Sequence, residues 1–296
     1  MITNTCSKLR YIIPVIASAF VAVSSLAEKD EVHVYGIGNF GGSSIQCGEP
    51  DQAHPVHTST AAAFLVPFVT RKANGLWDQV STRNNWRARG TYWTDATKNS
   101  AGDDIDAGDG VDDADVIYVH THGSHSTWPF ASSTLLMGNK TYECRVRTDG
   151  HMLFGNGAGD LEIAVIKACQ SGDYDTFMGG GYRQQFTKPE SRFTVWNAFH
   201  GDSSCGDHVT QYVGDYAAAS FTSGIGENWL DEAYDGAGDD DCPVSIVMGS
   251  NASKRDDMYE YGGFRDRKNT GNKTGSTYYF IGGCHPKPDT GRTLPE

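Results

Sequence analysis

Four short apolar runs, each bounded by turn residues, constrain this chain more than any other feature: residues 116–119, 163–166, 195–199 with Asn197 inside, and 244–248. Runs this short, separated by longer polar or helical stretches, are what strands covered on both faces of a parallel sheet look like. Residues 208–220 and 227–234 read as helices between the last two runs. A further helix is expected over 61–69, capped by Ser59 and Thr60 and kinked or shortened by Pro67. Alternation over 31–35 ahead of Gly36, Gly38, Gly41 and Gly42 suggests a first strand, and 278–281 an edge strand. Trp77, Trp86 and Trp93 read as packing anchors. The pattern predicts an α/β fold, a three-layer sandwich with a mainly parallel central sheet. No repeat or linker divides it, so residues 28–296 are expected to form one domain.

The first 27 residues have the parts of a secretory signal: Lys8 and Arg10, an apolar run over 11–23, and Ser25-Leu26-Ala27 as a cleavage site. No later stretch approaches the roughly 20 apolar residues of a membrane span. A secreted or periplasmic protein without stable membrane association is therefore expected. With 37 acidic against 24 basic residues and a net charge of −13, the chain lacks the clustered cations of a nucleic-acid binder. Seven cysteines also favour an oxidising compartment. Cys6 would leave with the signal, and Cys47, Cys144, Cys169, Cys205, Cys242 and Cys284 allow fifteen full pairings, none readable from sequence. An even six argues slightly for a fully bridged protein, since one reactive thiol would leave five. Asn139, Asn251 and Asn272 open glycosylation sequons.

In open α/β sheets, ligands bind beyond the carboxyl ends of the strands. The residues just after each run are therefore the informative ones: His120-Thr121-His122-Gly123, Lys167-Ala168-Cys169-Gln170-Ser171-Gly172 and His200-Gly201-Asp202. A cysteine nucleophile needs a base for its proton, an exposed position and N–H donors for the developing oxyanion. Cys169, followed by small residues, meets the second need. His122 is positioned as base, and Gly123 leaves its N–H open to a substrate carbonyl. The separation of His122 from Cys169 suits a single crossover to a neighbouring strand.

These residues carry a resemblance. An apolar strand ending in His-Gly, then about 50 residues later one ending in Ala-Cys-x-Gly, is similar to the caspase-like cysteine peptidases, whose relatives include gingipains, clostripain and legumain. The matching segments are VIYVHTHG and IAVIKACQSG, with Ser171 as an extra residue before the glycine. The HTHG, ACQSG and FHG segments, with Trp229 and Tyr234, also resemble an uncharacterised bacterial domain family. The match covers about twenty residues. It implies caspase-like topology and a secreted peptidase acting on protein or peptide substrates without a required cofactor. It further implies Cys169 as nucleophile, His122 as base, the Gly123 and Cys169 amides as oxyanion donors, and His120, His200 and Asp202 as auxiliaries.

Rival readings use the same segments. His120-Thr-His122-Gly-Ser-His125 is similar to the H-x-H-x-D-H of metallo-β-lactamases, which would make the protein a zinc-dependent hydrolase. Ser124 replaces the aspartate of that motif, and later ligands would come from His151, His200, Asp202 and His208. A non-catalytic exported binding protein on the same fold is the third reading. Gly201-Asp202-Ser203-Ser204 resembles a trypsin-like nucleophile segment, but no upstream partner segment accompanies it, nor any G-x-S-x-G. The run from Gly102 to Asp115 holds seven aspartates, of which Asp104, Asp106 and Asp109 are candidate Ca2+ ligands.

Overall fold

The computed structural model describes residues 30–40, 47, 54–75, 77–105, 109–126, 132–139, 144–157, 159–179, 186–237, 241–281 and 284. Ten strands are described: β1 (Asp30–Gly36), β2 (Trp77–Thr82), β3 (Val116–His120), β4 (Gly123–Ser126), β5 (Ser132–Leu136), β6 (Arg145–Arg147), β7 (Ile163–Lys167), β8 (Val195–Phe199), β9 (Pro243–Gly249) and β10 (Gly275–Phe280). The helices are α1 (Val56–Ala73), α2 (Tyr174–Gly179), α3 (His208–Ala219), α4 (Glu227–Ala237) and α5 (Ala252–Tyr261).

Seven strands form one sheet in the order β10-β9-β8-β7-β3-β1-β2. From β2 to β8 the neighbours are parallel, and β9 and β10 are each antiparallel to the strand before them. The chain is thus α/β with a mostly parallel central sheet, and β3, β7, β8 and β9 are the buried runs read from sequence.

Of the four apolar runs, β9 is the one that lies antiparallel to its neighbours. A single helix between β8 and β9 would carry the chain to the far edge of the sheet. Instead the two packed helices α3 and α4 return it to the edge it left, and Pro243 pairs with Phe199. A buried run records that both its faces are covered, not which way it points.

One outer layer is helical. Phe64 of α1 stacks on Tyr118 at 4.6 Å, Phe68 meets Trp77 and Phe221 at 4.7 Å each, and Trp229 of α4 donates to the Ala198 carbonyl at 3.1 Å. Asn197, the polar residue in β8, donates to the Tyr216 hydroxyl at 2.8 Å and the Ile225 carbonyl at 3.0 Å. The layer on the other face differs from a plain three-layer sandwich. Short 3-10 turns, α2 and extended segments cover it, burying Trp93, Phe154, Phe186 and Phe193 with Trp196 of β8.

Helix α1 starts earlier and ends later than its sequence suggested, with Ser59, Thr60 and Pro67 all inside it. An internal proline is worth about 3 kcal/mol against a helix. The buried stripe His57, Thr60, Ala61, Phe64 and Phe68 runs past it on both sides, and each buried phenylalanine contributes about 1.5–3 kcal/mol. Burial therefore outweighs the break. Trp77 and Trp93 are packing anchors as expected, whereas Trp86 is 45 % exposed beside the Arg87 guanidinium.

Disulfides join Cys47 to Cys144 and Cys242 to Cys284, leaving Cys169 and Cys205 as free thiols. The even count therefore resolves as two bridges and two thiols, not as three bridges. Among the described residues, no helix is long and apolar enough to cross a membrane. The signal-like residues 1–27 lie outside the described residues. Asn139 is buried and donates to the Trp86 carbonyl at 2.7 Å, so its amide is not presented for glycosylation.

Candidate functional site

The carboxyl ends of β1, β3, β7 and β8 share one edge of the sheet, where His54, His57, His120 and His122 gather with the free thiols Cys169 and Cys205. Across β3 and β7, His120 pairs with Lys167, and the Thr121 amide continues the ladder to the Lys167 carbonyl at 3.1 Å. The chain segments beyond the ladder set His122-Gly123 beside Ala168-Cys169. A methyl group built on Gly123 would lie 2.2 Å from the Cys169 carbonyl oxygen and 3.1 Å from its nitrogen, so only glycine allows this approach.

Gly123 opens β4, which pairs with β5 as Gly123 to Leu135, while the Leu136 amide donates to the His122 carbonyl at 3.0 Å. That pattern makes Gly123 and Leu135 a non-hydrogen-bonded pair, which turns the Gly123 N–H away from β5. Between β3 and β7 the chain forms the antiparallel sheet β4-β5-β6, where a plain crossover was expected.

Gly123→Ala is expected to destabilise the fold by about 1–3 kcal/mol, because the added carbon meets backbone that cannot rotate away. Denaturant unfolding of the variant measures this. An unchanged midpoint would mean that the β3–β4 corner moves freely from the Cys169 segment.

Cys169 is partly exposed at the end of β7. Among the described residues, its sulfur bonds to Ser203, accepting from the N–H at 3.4 Å and facing the carbonyl at 3.8 Å. Burial pushes the thiol up, and Asp202 and Asp241 add to this against the Ser203 N–H and Lys167. The resting form is therefore the neutral thiol, which needs a base to act as nucleophile. Gln170 follows with φ +56°, a left-handed conformation unfavourable for a side chain with a Cβ. Its N–H holds that turn by donating to the Gly201 carbonyl at 2.7 Å.

The His122 ring lies 5.1 Å from His54, 5.4 Å from His57 and 5.2 Å from Phe40, centroid to centroid. His57 in turn stacks on His120 at 3.8 Å. Burial drives His57 down to about 3 and His120 well below the usual imidazole range, so both rings stay neutral. The His120 ring is fully packed, unlike His122, which fits a structural more than a reacting role.

The His200 ring accepts from the Tyr174 N–H at 3.0 Å and faces the Asp173 carboxylate at 3.2 Å, which supports the start of α2. Asp202 is exposed. Of the other zinc ligands weighed, His151 accepts from the Arg147 N–H at 3.0 Å and His208 lies 3.2 Å from the Ser204 hydroxyl. The His125 side chain lies outside the described residues.

Lys167, His54, His57, Cys205 and Asp241 are site residues that sequence reading passed over. The fully buried Lys167 donates to the Ser203 hydroxyl at 2.5 Å and the Ser204 carbonyl at 2.7 Å, fixing the segment that lies over Cys169. Burial lowers its ammonium to about 8, against the pull of Asp241 and both thiols. Asp241 accepts the Ser204 N–H on both oxygens, at 2.9 and 2.7 Å. A lysine ending an apolar strand was the available signal. Near β2, a cleft lined by Arg83, Trp86, Arg87, Arg89, Tyr92 and Asp109 opens on the surface.

The aspartates weighed for calcium turn to different partners. The Asp109 carboxylate accepts from Arg83 at 2.6 Å and from the Tyr92 hydroxyl at 3.1 Å. Asp104 is buried at 2 % exposure, and Asp106 lies outside the described residues. Burial, with Asp95 and Asp103 nearby, pushes the Asp104 carboxyl up to about 7. In the unfolded chain it ionises near 3.9. The stability it lends is thus complete below about pH 4 and is lost as the pH rises through 7. Asp104→Asn is expected to match the parent protein at pH 4 and to be more stable by on the order of 4 kcal/mol at pH 8. Denaturant unfolding across this range checks the prediction, and a gap that ignores pH contradicts it.

No protein-family model matches this chain, and no curated protein matches it significantly.

Proposed function

We propose that this protein is an exported cysteine peptidase of caspase-like topology, hydrolysing peptide bonds through Cys169 and His122. One observation supports the reading: at the carboxyl edge of the adjacent parallel strands β3 and β7, the Gly123 backbone packs against Cys169, and His122 precedes Gly123 in the chain. The strained Gln170 turn supports it, since such conformations concentrate where a reacting group is presented. A sheet running parallel from β2 to β8 is compatible with the topology, and two disulfides with export.

In this mechanism His122 takes the Cys169 proton as the sulfur bonds to the substrate carbonyl carbon. The Gly123 and Cys169 N–H groups hold the resulting oxyanion. The C–N bond then breaks, and His122 gives its proton to the leaving amine. Water, deprotonated by His122, cleaves the thioester and regenerates the thiol. The His122 ring must approach the sulfur when substrate binds, as catalytic contacts commonly tighten only in the complex.

Alkylation of the native protein with iodoacetamide, followed by peptide mapping, tests the reading. Cys169 is expected to label faster than Cys205, with loss of peptide hydrolysis in step, while the bridged cysteines stay unmodified. A Cys169 found in a disulfide, or fully alkylated without loss of hydrolysis, would refute the nucleophile and favour the binding protein.

A further inference from the structure

We propose that His57, His120 and Cys205 form a binding site for one zinc ion, distinct from the Cys169 centre. Their donor atoms lie within 4.8 Å of one another. His57 Nε2 is 3.6 Å from Cys205 Sγ. Two ligands of a tetrahedral zinc, with Zn–N about 2.05 Å and Zn–S about 2.3 Å, stand about 3.6 Å apart.

The hydrogen bonds behind the two rings decide which nitrogens face the ion. His57 Nδ1 lies 2.6 Å from the Ile37 carbonyl, which can only accept, so the proton sits on Nδ1 and Nε2 offers a lone pair. The Thr60 hydroxyl donates to the His57 carbonyl at 3.0 Å and lies 2.6 Å from His120 Nδ1. In the tautomer in which Thr60 accepts from Nδ1, His120 Nε2 also carries a lone pair, as metal ligation requires. Among the described residues, that buried nitrogen has no hydrogen-bond partner. An unsatisfied buried acceptor costs about 1–3 kcal/mol. A cation held between the rings and the sulfur removes the deficit. Carbonyl and hydroxyl partners on the outer nitrogens are the usual support of histidine ligands.

The donor set is soft enough to prefer zinc over calcium or magnesium. Binding ionises the Cys205 thiol, and its proton is released to solvent as the Zn–S bond forms. Lys167, the nearby cation, is held by Ser203 and Ser204, and the thiolate offsets part of the ion's charge. The place in the fold also suits a ligand. From β1 the chain proceeds to β2 on one side, and from β3 to β7 on the other, so β1 and β3 flank the crevice where α/β sheets bind ligands. Three protein ligands leave a fourth position, and Cys205 is partly exposed, giving the ion a route in.

The test is a titration of chelator-treated protein with Zn2+ alone, and with Co2+ as a spectroscopic substitute. One equivalent of Zn2+ is expected to bind, with release of a proton, and Co2+ is expected to give thiolate-to-metal charge-transfer absorption. Cys205→Ser should abolish that absorption, and Thr60→Val should weaken binding about 10–100-fold. Cys169→Ser should keep both the stoichiometry and the absorption, so the two sites fail independently. Absence of the Co2+ band in the parent protein overturns the site, as does stoichiometric Zn2+ binding unaltered in Cys205→Ser or lost in a folded Cys169→Ser.

Discussion

Cys169→Ala is expected to lower peptide hydrolysis by roughly 10⁴- to 10⁶-fold, the scale seen when a nucleophile that acts as part of a catalytic unit is removed. The same change should leave the fold almost intact. The sulfur is partly exposed, and its hydrogen-bond contacts are with the Ser203 backbone. Ser203 and Ser204 keep their other anchors, the Lys167 ammonium and the Asp241 carboxylate. A stability change within about 1 kcal/mol is therefore expected, as for substitutions that neither open a core cavity nor strand a charge. Turnover by the purified variant against a peptide pool, with its unfolding midpoint, separates lost chemistry from lost structure. Undiminished turnover removes the nucleophile from the mechanism, whatever the fold.

Removing the Cys242–Cys284 bridge should produce a large loss of stability. The bridge closes a loop of 42 residues, which in the chain-entropy description is worth about 4 kcal/mol. It also ties the chain after β10 to the start of β9, where the Cys242 carbonyl accepts the His200 N–H at 2.8 Å and Asp241 holds Ser204. The Cys242→Ala/Cys284→Ala protein is expected to unfold at markedly lower urea, with faster amide exchange over residues 200–205. A loss below about 1 kcal/mol would mean that the β9–β10 ladder alone holds this edge. Protection at 200–205 that is unchanged would separate the bridge from the segment above Cys169.

Much of the architecture was legible because burial leaves a simple trace. Residues 116–119, 163–166 and 195–199 had to be strands covered on both faces, and they became β3, β7 and β8. The helices α3 and α4 followed the same logic. The direction of β9 was not legible, because a strand run in either direction buries the same side chains. The β4-β5-β6 sheet escaped for a related reason: only short, mixed stretches such as GSHS and RVR form it, and their pairing is set by neighbours.

The strand-end rule brought His120, His122, Cys169, His200 and Asp202 into view as one group. The structure sorts them by what their surroundings do. His200 is engaged by Asp173 and Tyr174, while His120 is drawn to Thr60 and His57, and His57 lies ahead of the helix start that the sequence suggests at residue 61.

By itself the sequence determined the α/β class, the strands that carry the site, and the edge of the sheet where reactive side chains emerge. All three follow from apolar periodicity and chain direction, which are properties of local sequence. Only the tertiary structure decided which cysteines are free, which imidazoles face one another, and that Lys167 and Asp241 clamp the segment above Cys169. Those outcomes depend on distances between residues remote along the chain, and such distances exist only once the strands have paired and the helices have packed.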